Sequence, residues 1–294
     1  MGDNNLANKS FGNGRLSQNA AGNLYVLTAA VLWSLGGVLL KNIPWNPIIT
    51  SGFRAAVALV FYAAVIKRGF RLKLNRYTIG GGVAFALTTS LFVAANTFTT
   101  AANAIVLQYT APIYVLIADC IIKKRPPLLK QLIIVIVAFG GMALFFLDQL
   151  QGGALVGNLL AIASGVCFAA LAIINSRPGA SPDDTNMIGF SLNILFFICM
   201  SPFLNVTSIE VDAKIIISIL ALGIVQIGIP YWAYGRGMQR AKLVSASLLC
   251  MLEAILNPIW VALVDGEIPG KFALLGGILI LAAVAANILL VREE

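Results

Sequence analysis

The fold class this sequence predicts is an all-α integral membrane protein whose ten transmembrane helices form two inverted five-helix repeats. Three observations carry that prediction. The first is composition: 59% of the 294 residues are hydrophobic and 11% charged, whereas soluble domains run at roughly 45–50% apolar and 25% charged. The second is a succession of apolar runs long enough to cross a bilayer, at about 22–43, 47–67, 76–98, 101–123, 128–147, 153–175, 185–205, 213–235, 241–264 and 271–291, each close to the roughly 20 residues that a spanning helix needs. Their connections are short and leave no room for a soluble domain. The third is internal similarity. Gly22–Ser34 (GNLYVLTAAVLWS) aligns with Gly157–Ala169 (GNLLAIASGVCFA) at an offset of 135, and Ala104–Ile113 (AIVLQYTAPI) aligns with Ala246–Ile255 (ASLLCMLEAI) at an offset of 142. Two copies of one five-helix unit separated by a small insertion would give that order, and an odd number of spans per copy makes the second copy enter the membrane upside down.

Residues 1–21 are polar, rich in Asn and Gly, and read as a disordered tail. The two repeats are then 22–147 and 153–291. No cleavable signal is expected ahead of the first span. Lys and Arg set the orientation: Lys9, Arg15, the cluster from Lys67 to Arg76, Lys123 to Lys130, Arg177, Arg236, Arg240, Lys242 and Arg292 fall on one side, and Lys41, Lys214 and Lys271 on the other. The positive-inside rule places the first set, and both termini, in the cytoplasm, with the cell (inner) membrane as the expected location. Span four ends on Lys123-Lys124-Arg125, whereas the matching end of span nine is Asp265-Gly266-Glu267. The net charge of +8 is therefore a topology signal spread over several loops and not a nucleic-acid footprint.

Span four, Ala101–Arg125, carries polar groups where lipid would penalise them. Gln108, Pro112 and Asp119 recur at steps of four and seven, which on a continuous helix share one face. Pro112 also removes the amide that would bond to the carbonyl of Gln108. That face, with Tyr109 beside it, reads as a substrate wall or as a helix contact glued by Gln108. Span three offers Thr89 and Asn96 with Phe92 between them; span eight offers Gln226, Pro230, Tyr231 and Tyr234. Aromatic rings with a few amides suit a cavity for amphipathic metabolites, although Tyr231, Trp232 and Tyr234 also fit an interfacial belt. Trp33 lies deeper than a belt residue and reads as cavity wall or core packing. Spans five and ten have almost no polar side chains and are placed at the periphery, facing lipid or a second protomer in a homodimer.

NAIVLQYTAPIYV in span four, LLCMLEAILNPIWVALVDGEIP through span nine, VLWS in span one and Arg54 within SGFRAA of span two resemble the EamA-type carriers of the drug/metabolite transporter superfamily. The resemblance covers nearly the whole chain, and the joint order of the motifs is what is specific. It implies ten helices around a central cavity and the export or exchange of small metabolites, often amino acids, by alternating access. Ala254 stands where such carriers often have Pro after the Glu, and Arg125 replaces their usual acidic residue at the end of span four. The resemblance includes an Arg at position 54, for which two readings stand: a structural ion pair or carbonyl cap, and a ligand for a substrate carboxylate. A charge at that depth costs at least about 2.5–3.5 kcal/mol unless it pairs or reaches water. Glu253, with Asn257 one turn later, is read either as a proton-coupling carboxylate or as a structural partner of a helix break near Pro258; Asp119 is the next coupling candidate.

Other chemistry finds little support. The chain has no His, its four Cys lie inside apolar runs without metal-like spacing, and no Gly-Lys-Ser/Thr phosphate loop is present. No cofactor or metal is expected, the expected partners being a small molecule and the bilayer. An intramembrane enzyme is the alternative of a different class, and a receptor or scaffold is a third. Gly36-Gly37 and Gly140-Gly141 read as close helix packing. Asn205-Val206-Thr207 matches a glycosylation acceptor in an outer loop.

Overall fold

The structure is a computed structural model that describes residues 3–40, 42–67, 69–150, 152–204, 209, 211–265 and 270–290, without the side chains of 3–17, 261 and 265. The Asn205-Val206-Thr207 acceptor and the Gly266-Glu267 end of span nine lie outside the described residues. Among the described residues the helices group in chain order as follows. They are α1 (Asp3–Trp33, resuming as Gly36–Leu40), α2 (Pro47–Phe61 with a π turn over Tyr62–Ile66), α3 (Arg76–Phe98), α4 (Ala101–Gln108 and Ala111–Lys123) and α5 (Leu129–Phe145). The second five are α6 (Leu155–Asn175), α7 (Pro182–Met200), α8 (Ala213–Ala221, a π segment Leu222–Gly228, then Ile229–Met238), α9 (Leu243–Cys250 and Leu252–Asp265) and α10 (Lys271–Leu290). Among the described residues nine of these are long and apolar enough to cross a membrane, while α5 is a shorter apolar helix of 17 residues.

Two boundaries differ from the sequence reading. The backbone of α1 is helical from Asp3, so the polar segment assigned as a disordered tail continues the first helix. Extending an existing helix adds one hydrogen bond per residue fixed and avoids the cost of a new nucleus. Asn19 is tied to the body through its Oδ1, which accepts from the Lys242 amide at 3.0 Å. The second difference is α7, which starts at Pro182, three residues before the expected 185, and so brings Asp183 and Asp184 into its first turn. Proline is favoured there because the amide it lacks has no intrahelical partner at a helix start, and acidic residues complement the positive end of the dipole.

Side-chain contacts assign the helix ends to two layers. Asn75 to Gly179 (3.3 Å) and Gln239 to Ala180 (3.3 Å) join the loops at one end, called here the Lys67 end. Thr99 to Asn158 (2.9 Å) joins the loops at the other, the Leu40 end. Packing is extensive between α3 and α6, α3 and α7, α1 and α8, α2 and α7, α2 and α8, α4 and α6, and α5 and α10. Small residues permit the closest of these approaches. A Cβ on Gly276 would overlap the backbone of Phe145 and Gly141, and one on Gly157 would overlap Phe98 and Thr99. Helices α5 and α10 pack on each other and turn Leu129, Ile133 and Ile136, and Leu274, Ile278 and Leu289, outward.

Candidate functional site

Four helices lose their regular ladder part-way along their length, and these irregularities build the site. Helix α1 breaks at Ser34-Leu35, α4 at Tyr109-Thr110, α9 at Met251, and α8 carries its π segment at 222–228. Non-helical backbone is tolerated at membrane depth only where protein or a water-filled cavity satisfies the freed groups. Here side chains do so. Gln226 Nε2 donates to the Trp33 carbonyl at 3.3 Å, and Trp260 Nε1 donates to Ser34 Oγ at 2.8 Å. Thr110 Oγ1 turns back on the Leu107 carbonyl at 2.6 Å. Tyr109, itself at the α4 break, shares its one hydroxyl proton between two acceptors, the Cys250 carbonyl at 2.9 Å and Glu253 Oε2 at 2.7 Å. One phenol therefore caps the break of α9 and holds the carboxylate that follows it.

A cavity of about 260 Å³ runs from these breaks to the Leu40 end, where Leu40 is 40% exposed. Its aromatic wall is Trp33, Phe92, Tyr109, Phe168 and Tyr231. Its polar wall is Thr88, Thr89, Asn96, Gln108, Gln226 and Asn257, and its charged groups are Arg54 and Glu253. Arg54 Nη1 donates to Gln226 Oε1 at 3.4 Å, and Arg54 and Glu253 line the same space. Gly36 and Gly37 leave room for this polar layer, since a Cβ on Gly36 would press on the Gln226 amide and one on Gly37 would overlap Asn257 Oδ1.

Of the residues expected from sequence, Trp33, Arg54, Thr89, Asn96, Gln108, Tyr109, Gln226, Tyr231, Glu253 and Asn257 thus lie on one wall. Pro112, Asp119 and Tyr234 do not. The break at 109–110 splits α4, so the single face drawn through Gln108, Pro112 and Asp119 does not exist. Pro112 is buried in the first turn of the second half. Asp119 sits nearer the Lys67 end and pairs with Lys123 Nζ at 2.8 Å. Tyr234 is 1% exposed and stacks on Phe168 at 5.6 Å behind the wall. Gln108 lines the cavity and donates from Nε2 to Ser164 Oγ on α6 at 2.7 Å. The break expected near Pro258 falls instead at Met251, so Glu253 occupies the first turn of the second half of α9, a position that suits negative charge.

Several site residues escaped the sequence reading. Thr88, Phe168 and Ile227 line the cavity, and Asn193 on α7 holds Thr89 through Nδ2 to Oγ1 at 2.8 Å. Ser164 relays Gln108 to the Thr88 carbonyl at 2.7 Å. An isolated Ser or Thr in an apolar run gives little signal, because it can return its hydroxyl to its own helix.

A comparison with curated proteins finds no match. Among solved structures, one crystal structure, titled only as that of a protein, superposes with a TM-score of 0.81 over 94% of this chain and 100% of its own, at 17% sequence identity. At that identity the likeness is one of fold. The sequence profile described as the EamA-like transporter family matches twice, at residues 20–147 and 155–289. With both matches together covering most of the chain, and the helical membrane bundle around a polar cavity in agreement, this protein belongs to the EamA-like transporter family.

Proposed function

We propose that the chain is a secondary transporter for small metabolites, amino acids or related amphipathic compounds, working by alternating access as an exporter or exchanger. The observation that carries this reading is the cavity itself. A cation (Arg54) and an anion (Glu253) line one space with an aromatic and a polar wall, among helices long and apolar enough to cross a membrane, where a charge left unmatched would be costly. A zwitterion with an apolar body offers a partner to each charge and to the rings.

The two profile matches each hold five helical segments, which supports domains at 22–147 and 153–291 and, because five is odd, an inverted second copy. The most extensive helix pairs also exchange among themselves when α1–α5 are swapped for α6–α10: α1 with α8 becomes α6 with α3, and α2 with α8 becomes α7 with α3. The half-helices Ala101–Gln108 and Leu243–Cys250 correspond end for end at the offset of 142. The Lys and Arg distribution puts the Lys67 end and both termini in the cytoplasm, so the cavity opens away from it. The outward apolar faces of α5 and α10 meet lipid, or a second copy in a homodimer.

Proton coupling through Glu253 belongs to the same proposal. The carboxylate would exchange its proton with each side in turn as the cavity changes its opening. The deciding experiment is uptake of a panel of radiolabelled metabolites by proteoliposomes, repeated with Arg54→Gln. Saturable uptake of at least one zwitterion that Arg54→Gln removes supports the reading. No uptake of any zwitterion, with uptake of simple cations or neutral solutes instead, refutes the substrate class.

A further inference from the structure

The Lys67 end of the bundle is closed by charge. Asp184 in the first turn of α7 pairs with Lys67 at the end of α2. Asp183 beside it accepts from Arg236 Nη2 on α8 at 2.9 Å and from the Tyr62 hydroxyl on α2 at 3.2 Å. Asn186, one turn on, donates to Tyr62 Oη at 2.9 Å and to the Tyr231 carbonyl at 3.0 Å. The start of α7 is thereby tied to α2 and α8 together, and the last bond reaches the backbone of a cavity-wall residue. Between these ties and the cavity lies an aromatic plug in which Phe85 meets Tyr231 at 4.3 Å and Phe190 at 5.0 Å between ring centroids.

The interior beside this closure is poorly satisfied. Asn175 is fully buried at the end of α6 with neither amide atom hydrogen-bonded, and Thr185 Oγ1 and Asn186 Oδ1 are also without partners among the described residues. A buried polar atom without a protein partner either holds an ordered water or carries a desolvation penalty. A conformation that let water reach them would remove it.

We propose that Asp183 and Asp184, with Lys67, Arg236 and Tyr62, form a latch that biases the carrier toward the state open at the Leu40 end. Release of the latch admits water to Asn175, Thr185 and Asn186, which become the wall of a second vestibule leading to the same cavity. The inference rests on the alternating-access reading, and its test separates the two.

The full chain, with its four native Cys replaced by Ala, carries one reporter at a time: Asn175→Cys for the latched end or Asn96→Cys for the open end. It is reconstituted in proteoliposomes and labelled with a water-soluble methanethiosulfonate. Asp183→Asn with Asp184→Asn is expected to raise the labelling rate at 175 by at least about fivefold and to lower it at 96, as a shift between two populations requires. The charge swap Asp183→Arg with Arg236→Asp should return both rates toward their starting values. Should the double Asn variant not fold, Lys67→Gln with Arg236→Gln cuts the same bonds from the other side. A cysteine crosslink between positions 40 and 101, which closes the open end, tests alternating access separately. If the crosslink raises labelling at 175 and neutralisation does not, the latch is overturned and alternating access stands. If neither changes labelling at 175, both are overturned. A rise at 175 and 96 together would mark a loosened bundle and also overturn the latch.

Discussion

Helices α2 and α7 begin alike in sequence: Asn46-Pro47-Ile48-Ile49-Thr50 against Ser181-Pro182-Asp183-Asp184-Thr185, at the same offset of 135 that relates the first spans. Each has its proline in the first turn. In α2 the Asn46 side chain caps the helix by accepting from the Ile48 amide at 2.9 Å, and the next two residues are apolar. In α7 those two positions are carboxylates bound to α2 and α8. The far ends differ in the same sense. Tyr62 on α2 uses its hydroxyl in the Asp183 network, whereas its counterpart Phe197 on α7 packs on Phe53 at 5.6 Å. One sequence pattern thus yields a charged network at the Lys67 end and an uncharged pair of helix ends at the Leu40 end, toward which the cavity extends. The difference teaches that similar helix starts need not give similar surroundings: two residue changes in the first turn replace an apolar contact with a charged network.

That comparison is most exposed to changes in the shared cavity. Arg54→Gln is expected to have the largest effect, a loss of uptake of roughly ten- to a hundredfold if the guanidinium makes a charged hydrogen bond to substrate worth about 1.5–3 kcal/mol. Initial-rate uptake, with a size-exclusion profile to confirm folding, measures it; unchanged uptake would assign Arg54 to structure alone. Glu253→Gln should next abolish the dependence of accumulation on an imposed pH gradient while sparing counterflow exchange. Accumulation that still scales with the gradient would sink the coupling role.

Smaller effects sharpen the picture of how the halves meet. Gly37→Ala forces a methyl group onto Asn257 and should destabilise by about 1–3 kcal/mol, as overpacking does, read as a lower thermal midpoint in detergent. Tyr109→Phe removes the bond that joins the α4 break to the α9 break and should cost about 1 kcal/mol; a midpoint unchanged from the native protein would show that the contact contributes nothing. Gln108→Leu loses the bond to Ser164 and should have the smallest effect, about 0.6 kcal/mol for an interhelical bond inside a membrane, with its main consequence on substrate affinity.

The sequence by itself determined the membrane-spanning class, nearly all the helix positions and most of the polar residues of the cavity wall. Hydrophobic runs report local burial in lipid, and a polar residue inside such a run must find protein or water, which is how Arg54, Asn96, Gln226 and Glu253 were legible one at a time. What tertiary structure alone decided is how those residues combine. The break at Tyr109-Thr110 removed Asp119 and Pro112 from the wall and aimed a phenol at Glu253, although periodicity assumes an unbroken helix. The early start of α7 turned Asp183 and Asp184 from apparent loop residues into the centre of a charged closure whose partners, Lys67 and Arg236, are distant in the chain. Carboxylates near a helix start look alike in sequence whether they face water or a cation, because the distinguishing energy is the pairing itself, and pairing depends on where other helices place their ends.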